Sequence, residues 1–249
     1  MEKLVVKSMN IDIELNGLIT SLIGPTESGK TLLLKKLINM IPNKDVYIDD
    51  KNISEYDINY LKKNIVMILN DDVYYTSYVV DELSYHLKEL GYTIDKIYTK
   101  VYKMVEDFNL TIYKHDKLEN MPLNKRILVK VLSYIIINPS LLGIDNLLTY
   151  LTKDDKELVL KYIKKQKISF INVISNLDDI VYGDRILIMN KFKSIVYGDN
   201  KIILENNSIL PYMGFRLPFI VDLSQNLILY NVVKKVYLDK DKLVNKIWK

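Results

Sequence analysis

Hydrophobic and polar residues follow one another along the first forty positions in an order typical of a strand, a turn and a helix. Residues 4–15 alternate loosely at period two, and residues 18–24 form a short apolar run that ends at a glycine. Such patterns predict strands, the second of them buried. Residues 31–41 carry apolar side chains at helical spacing and stop before Pro42, which cannot continue a helix. The chain therefore opens with a strand, a glycine-rich turn and a helix.

Further strand-like runs recur along the chain with helical segments between them. Strands separated by helices are typical of a parallel sheet with crossover helices. The stretch from 79 to 133 reads mostly as helices, so a helical insertion is expected at about residues 71–135. The predicted fold class is α/β, with a parallel sheet core, this insertion and a small C-terminal appendage. The later strand-like runs are 46–53, 64–70, 140–145, 168–175 and 185–190.

The pattern changes after about residue 205. Residues 206–249 contain helical segments and no further strand-like run. We therefore expect a main domain at 1–205 and an appendage at 206–249 that is separate from the sheet. This appendage is either a dimerisation region or a cap on the edge of the sheet.

Composition and charge exclude several classes of function. The chain has no cysteine, which rules out disulfides, thiolate metal sites and a cysteine nucleophile. Lys and Arg total 35 against 31 Asp and Glu, and these charges are scattered, so nucleic acid is not indicated as a partner. The most apolar stretch, 131–144, is interrupted by Asn138 and Pro139, so no membrane span is predicted.

A phosphate-binding motif lies between the first buried strand and the first helix. Residues 24–31 read Gly-Pro-Thr-Glu-Ser-Gly-Lys-Thr and satisfy the pattern G-x-x-x-x-G-K-[ST]. The glycines permit turns that point successive N–H groups inward, and the helix adds its positive N-terminal end. Lys30 can neutralise the β- and γ-phosphates of a nucleotide. The candidate nucleotide-binding residues are Gly24, Pro25, Thr26, Glu27, Ser28, Gly29, Lys30 and Thr31.

Two oxygen-bearing side chains are candidate metal ligands. The hydroxyl of Thr31 can join the coordination sphere of a Mg²⁺ that bridges phosphate oxygens. Asp145 ends the apolar run 140–145, and an acid at the tip of a neighbouring strand can hold the same ion through water. The alternative for Asp145 is an ordinary aspartate at a strand end.

The order of these motifs resembles that of one family. The phosphate-binding motif and the Leu-Leu-Gly-Ile-Asp run (141–145), separated by a mainly helical insertion, resemble an ABC-type ATPase. Residues 170–190 resemble the family's switch region and the strand after it. Residues 213–227 and 243–249 resemble the C-terminal region of ATPase subunits from energy-coupling factor transporters.

This resemblance implies a P-loop ATPase that binds ATP with Mg²⁺ and energises the import of a small nutrient. It also implies three partners: a second ATPase subunit in a heterodimer, a transmembrane coupling protein and a substrate-binding membrane component. The implied location is cytoplasmic, peripheral on the inner face of the cell membrane. The helical stretch 79–133 is then a docking face for the membrane partner, and its alternative is an ordinary amphipathic set of helices.

The chain departs from the family at four positions. No glutamine lies between Lys30 and Asp145, and Asn70 is nearest to the place of the family's Q-loop glutamine. Residues 121–125 (Met-Pro-Leu-Asn-Lys) replace the glycine-rich signature. Asn146 occupies the position of the catalytic glutamate, and Ser175 or Asn176 occupies that of the switch histidine.

These replacements predict weak hydrolysis at the chain's own site. An amide such as that of Asn146 can orient a water molecule but cannot accept its proton. The two histidines, His86 and His115, both precede Asp145 and cannot supply the switch residue. Both are expected to be exposed polar residues on helices.

Three hypotheses remain open. In the first, the chain is the degenerate half of a heterodimer and binds MgATP with little turnover. In the second, ATP only clamps the subunits together, and the protein is a nucleotide-dependent scaffold. The third is a small-molecule kinase, which ranks last because such enzymes need an arginine-rich lid. The chain's only arginines are Arg126, Arg185 and Arg216.

Overall fold

The computed structural model describes residues 1–38, 44–71, 73–206 and 208–248. The chain forms two compact units. The first comprises Met1–Leu18 and Thr31–Ile171, and the second comprises Ile19–Lys30 and Asn172–Lys249. Strands and helices alternate along the chain, and the fold is α/β, as predicted.

The strands and α-helices have the following bounds. The strands are β1 (Lys3–Val6), β2 (Ile11–Glu14), β3 (Ile19–Ile23), β4 (Val46–Ile48), β5 (Lys51–Asn52), β6 (Ile65–Ile68), β7 (Leu141–Asp145), β8 (Ser169–Val173), β9 (Arg185–Asn190) and β10 (Lys193–Asp199). The helices are α1 (Lys30–Leu37), α2 (Ile58–Asn64), α3 (Val79–Glu89), α4 (Ile94–Asp107), α5 (Leu123–Ile135), α6 (Lys153–Lys165), α7 (Asn200–Glu205), α8 (Ile209–Tyr212), α9 (Phe219–Leu229) and α10 (Lys240–Ile247).

An antiparallel sheet in the first unit has the strand order β2-β1-β4-β5. The predicted extended run 4–15 is divided into β1 and β2 by one turn of 3-10 helix at Lys7–Met9. Asn10, with φ of 51°, adopts the left-handed conformation that asparagine tolerates and starts the return strand. Asp49 and Asp50 both have positive φ and form the two-residue turn between β4 and β5.

The rest of the first unit contains a parallel strand pair and the predicted helical insertion. β6 pairs in parallel with β7, from Ile65 opposite Leu141 to Ile68 opposite Ile144. Helices α3, α4 and α5 fill the stretch predicted to be helical. The predicted end of the first helix, residues 39–41 with Pro42, lies outside the described residues.

In the second unit, β3 pairs in parallel with β9, and β9 pairs with β10 in antiparallel fashion. The sequence pattern did not predict β10. Its connection to β9 is a two-residue turn made by Lys191 and Phe192, with φ of 46° and 64°. Such turns favour Gly, Asn or Asp, so this one carries no recognisable turn signal.

The C-terminal helices share a core with the strands of the second unit. Leu210 of α8 and Val221 of α9 are fully buried in one cluster with Ile23 of β3 and Ile186 of β9. The expectation that residues 206–249 are separate from the sheet is therefore wrong, because their helices pack on its strands. The boundary drawn at residue 205 stays a prediction.

Candidate functional site

Residues 24–30 of the phosphate-binding motif lie in the second unit, directly after β3. All five residues of β3 are buried, which anchors the start of the loop. Glu27, with φ of 63°, and Gly29, with φ of 100°, both adopt left-handed backbone conformations. This turn returns the chain tightly to α1, so that the backbone of residues 24–30 forms the compact loop that the motif predicts.

Both glycines of the motif are required by close neighbours. A Cβ atom on Gly24 would lie 2.4 Å from the carbonyl oxygen of Met189, and one on Gly29 would lie 2.9 Å from Cδ1 of Phe192. Phe192 also donates its backbone N–H to the carbonyl of Ser28 at 3.0 Å. The turn between β9 and β10 therefore packs against the phosphate-binding loop and stabilises it through Phe192, a role that the sequence did not reveal.

Lys30 directs its ammonium group back into the loop. Its Nζ donates to the carbonyl oxygens of Gly24 and Pro25, both at 2.7 Å, and to Oγ of Ser28 at 3.2 Å. An ammonium group is a compact donor that can bind phosphate oxygens with the same geometry. The positive charge is thus placed where the motif predicts an anionic ligand.

Thr31 and Asp145 are brought together within the first unit, although 114 positions separate them. Oγ1 of Thr31 donates to Oδ2 of Asp145 at 2.6 Å. Asp145 ends β7 and is 9% exposed, so its carboxylate is largely shielded from water. A hydroxyl and a carboxylate oxygen at this separation fit the ligand preference of Mg²⁺.

Two further candidates lie near Asp145 at the same sheet edge. Ile68 of β6 is opposite Ile144 of β7, so Asn70 and Asn146 leave the ends of neighbouring parallel strands. Asn146 has φ of 58°, a left-handed conformation that asparagine adopts more readily than most residues. Asn70 is exposed.

The remaining candidates lie elsewhere. Ser175 is in the second unit, where the N–H of the preceding Ile174 donates to the carbonyl of Leu22 in β3 at 3.1 Å. The stretch 121–125 lies in the first unit and leads into α5. There, Lys125 binds both carboxylate oxygens of the buried Asp155 at 2.9 Å.

His86 contradicts the expectation of an exposed polar residue. It lies on α3 within an aromatic cluster, 4.3 Å from the ring of Tyr134 and edge-on to the stacked rings of Tyr75 and Tyr85. Its Nε2 is buried and has no hydrogen-bond partner among the described residues. The sequence missed this because the three tyrosines come from separate segments. His115 is exposed, as expected, but lies in a turn.

The half-buried position of His86 predicts a pH-dependent stability. Burial lowers its pKa from 6.5 to about 4, so the folded chain keeps the ring neutral where the unfolded chain protonates it. The free energy of unfolding should therefore be highest above about pH 6.5, where the ring is neutral in both states, and should fall as the pH is lowered towards 4. We expect the free energy of unfolding to fall by about 2 kcal/mol, a value that already allows for the solvent exposure of part of the ring. Urea denaturation at several pH values measures it.

Two matched variants isolate this contribution. His86→Gln should remove its share of the pH dependence between pH 6.5 and 4, because glutamine does not titrate. His115→Gln, at an exposed turn, should keep the slope of the natural chain. An unchanged slope in His86→Gln would contradict the assignment.

The family follows from comparison with known proteins. Residues 6–149 match the family described as ABC transporter, and this stretch covers more than half of the chain, including the phosphate-binding loop and Asp145.

The chain belongs to the ABC transporter family.

Relatives of this ABC protein extend the similarity over nearly its whole length. The energy-coupling factor transporter ATP-binding protein EcfA1 of Listeria monocytogenes is 21% identical, covering 100% of this chain and 92% of the relative. EcfA1 of Mycoplasmopsis synoviae is 23% identical, covering 96% and 92%. The solved structure of CbiO1 from Clostridium perfringens, part of the ABC transporter complex CbiONQ, gives a TM-score of 0.72 at 18% identity, covering 90% and 100%. The predicted ABC ATPase fold is thereby confirmed.

Across the part of this ABC protein that the structure describes, none of the helices has both the length and the apolar character needed to cross a bilayer.

Proposed function

We propose that this protein is the ATP-binding subunit of an energy-coupling factor transporter and energises the import of a small nutrient. The observation that carries the proposal is the loop 24–30, whose lysine ammonium is directed onto the loop's own backbone carbonyls. The names of the EcfA1 relatives support the finer assignment to this class of transporter. The first test is calorimetric titration of the purified chain with MgATP, and a failure to bind would overturn the proposal.

Thr31 and Asp145 are the residues that would hold Mg²⁺. Their side-chain oxygens are 2.6 Å apart, and both are of the kind that this ion prefers. When bound, the ion would neutralise negative charge on the phosphate oxygens of ATP. Lys30 adds a fixed positive charge from the protein itself.

The protein's own hydrolytic step is proposed to be impaired. Asn146 follows Asp145 directly and offers an amide where a general base would take a proton from water. The stretch 121–125 contains Pro122, which has no N–H, and has no glycine, so few backbone donors are available for a partner's γ-phosphate. Ser175 supplies no imidazole.

The C-terminal helices offer a surface for a second ATPase subunit. Leu229 and Tyr230 at the end of α9 are 78% and 80% exposed, and Trp248 after α10 is 85% exposed. Contiguous exposed apolar side chains are typical of interaction surfaces, and Leu229 and Tyr230 are adjacent in the sequence. We infer that residues 206–249 contribute to a heterodimer whose other subunit carries the intact motifs. The assembly would sit peripherally on the cytoplasmic face of the membrane.

A cavity in the first unit supports docking of the transmembrane coupling protein on the helical stretch 79–133. It has a volume of about 380 Å³. Apolar side chains line it together with the opposite charges of Lys62 and Glu89, a composition suited to an amphipathic segment. The principal lining residues are Ile65, Val66, Met67, Tyr75, Tyr85, His86, Leu90, Tyr134 and Ile137.

A charge placed in this cavity should release the protein from its membrane partner. Tyr85→Glu is expected to weaken retention on vesicles that carry the membrane components about tenfold, because an uncompensated carboxylate would be buried at the contact. Tyr98→Glu, on α4 at a residue 60% exposed and outside the cavity lining, is the matched control. Co-sedimentation measures both. Equal retention of the two variants would argue against docking here.

A further inference from the structure

Two charged side chains are buried within the first unit, beside the loop that follows β6. Lys130 on α5 is 2% exposed, and Glu82 on α3 is 1% exposed. Lysine and glutamate are rarely buried to this degree unless their charges are paired or hydrogen-bonded. Neither residue belongs to the phosphate-binding loop or to the Thr31–Asp145 pair. Their burial is therefore not explained by nucleotide or metal binding.

Lys130 holds the first part of this loop. Its Nζ donates to the carbonyl oxygen of Asp71 at 2.7 Å and to Oδ1 of the same residue. The ammonium also lies 5.5 Å from the centre of the Tyr74 ring. Because Asp71 directly follows Asn70, the lysine fixes the backbone next to the residue at the Q-loop position.

Glu82 holds the second part of the same loop. Its Oε2 accepts hydrogen bonds from the backbone N–H groups of Tyr75 and Thr76, at 3.0 and 2.8 Å, and from the Thr76 hydroxyl at 3.1 Å. Burial raises the pKa of Glu82, and these hydrogen bonds and the charge of Lys130 oppose that shift. The described residues of the loop are thus attached to α5 through one charge and to α3 through the other.

The start of α5 is the stretch at the signature position. Leu123 is its first residue, and Lys130 follows two helical turns later, about 10 Å along the axis. A hydrogen-bonded helix of this length moves as a rigid element, so a displacement of Asp71 is transmitted to the beginning of α5.

We propose that Lys130 is a positioning residue that connects the loop of Asn70 to the start of α5, and thereby couples this protein's own nucleotide site to the site of the paired subunit. This inference rests on the proposed function. Lys130 contacts no nucleotide in this scheme and acts only through Asp71 and α5.

The connection is tested first without nucleotide, by hydrogen exchange of individual amides. Lys130→Met removes the charge and keeps the length of the side chain. We expect it to accelerate exchange at Tyr75 and Thr76 and in the first turn of α5 about tenfold, while β7 is unaffected. Lys103→Met, at an exposed lysine on α4, should change none of these amides. Equal exchange in both variants would overturn the proposal.

A milder variant keeps the test decisive if Lys130→Met does not fold. Asp71 is about half exposed, so Asp71→Ala is tolerated more easily than a change in the core. It removes the ion pair and leaves the bond from Lys130 to the backbone carbonyl. We expect exchange at Tyr75 and Thr76 to accelerate about threefold. No change at these amides would overturn the proposal.

The coupling itself is tested by adding MgATP. In the natural chain, MgATP should slow exchange in the first turn of α5, and Lys130→Met should lose this response while its MgATP affinity stays within about threefold. A response that persists in the variant, or is missing from a natural chain that binds MgATP, overturns the coupling. If the natural chain does not bind MgATP, the proposed function fails, and the exchange measured without nucleotide still decides whether Lys130 makes the connection.

Discussion

Replacing Lys30 by alanine is expected to weaken MgATP binding about 100-fold, which corresponds to about 2.7 kcal/mol. The ammonium donates to two carbonyls and one hydroxyl of the loop, so it already lies where phosphate oxygens would accept its hydrogen bonds. Hydrogen bonds to a charged group each contribute roughly 1.5 to 3 kcal/mol. Calorimetric titration of both proteins with MgATP measures the loss.

Two controls separate loss of the ligand contact from loss of the fold. Lys161→Ala removes an exposed lysine from α6 and should leave the affinity unchanged. Thermal unfolding of Lys30→Ala shows whether the loop also depended on the lysine's bonds to Gly24 and Pro25. Unchanged affinity in a folded Lys30→Ala protein would show that the loop does not hold the phosphates.

Turnover by the purified chain is expected to be at least about 100-fold slower than in an ABC ATPase that keeps the catalytic glutamate. The amide of Asn146 cannot remove a proton from the attacking water, and loss of a general base costs 10²- to 10⁴-fold. Ser175 cannot replace the switch histidine. Phosphate release at saturating MgATP measures the rate, with Lys30→Ala as the blank.

The outcome also separates the two leading hypotheses. Tight, Lys30-dependent binding with a rate equal to the blank agrees with a degenerate subunit. Robust Lys30-dependent turnover would contradict the proposal that Asn146 and Ser175 prevent hydrolysis at this site. In the scaffold hypothesis, Lys30→Ala disturbs assembly of the complex and leaves its turnover unaffected. Measuring both in the assembled complex therefore distinguishes scaffold from degenerate subunit.

Local patterns were enough to predict most of the strands. β7 and β9 lie within the apolar runs predicted at 140–145 and 185–190, because buried parallel strands need continuous apolar residues. β10 was missed for two reasons. None of its residues is buried, so no continuous apolar run marks it, and the turn before it uses Lys191 and Phe192, which are not residues typical of such turns.

Residues whose environment comes from distant segments were the ones that sequence patterns described poorly. His86 is a polar residue type on a helix, but its ring packs against Tyr134 from α5. The helices after residue 205 show no strand-like pattern, yet Leu210 and Val221 bury in the core of β3 and β9. In both cases, side chains separated along the chain decide how much water reaches the residue.

The sequence by itself determined the phosphate-binding loop, because the glycines, the lysine and the flanking strand and helix form one contiguous segment with local backbone requirements. It also determined the family, through the order of its motifs. Only the tertiary structure placed Thr31 within hydrogen-bond distance of Asp145 and buried Lys130 beside Asp71. Burial and long-range contact depend on how distant segments pack, and no local pattern of residue types specifies that packing.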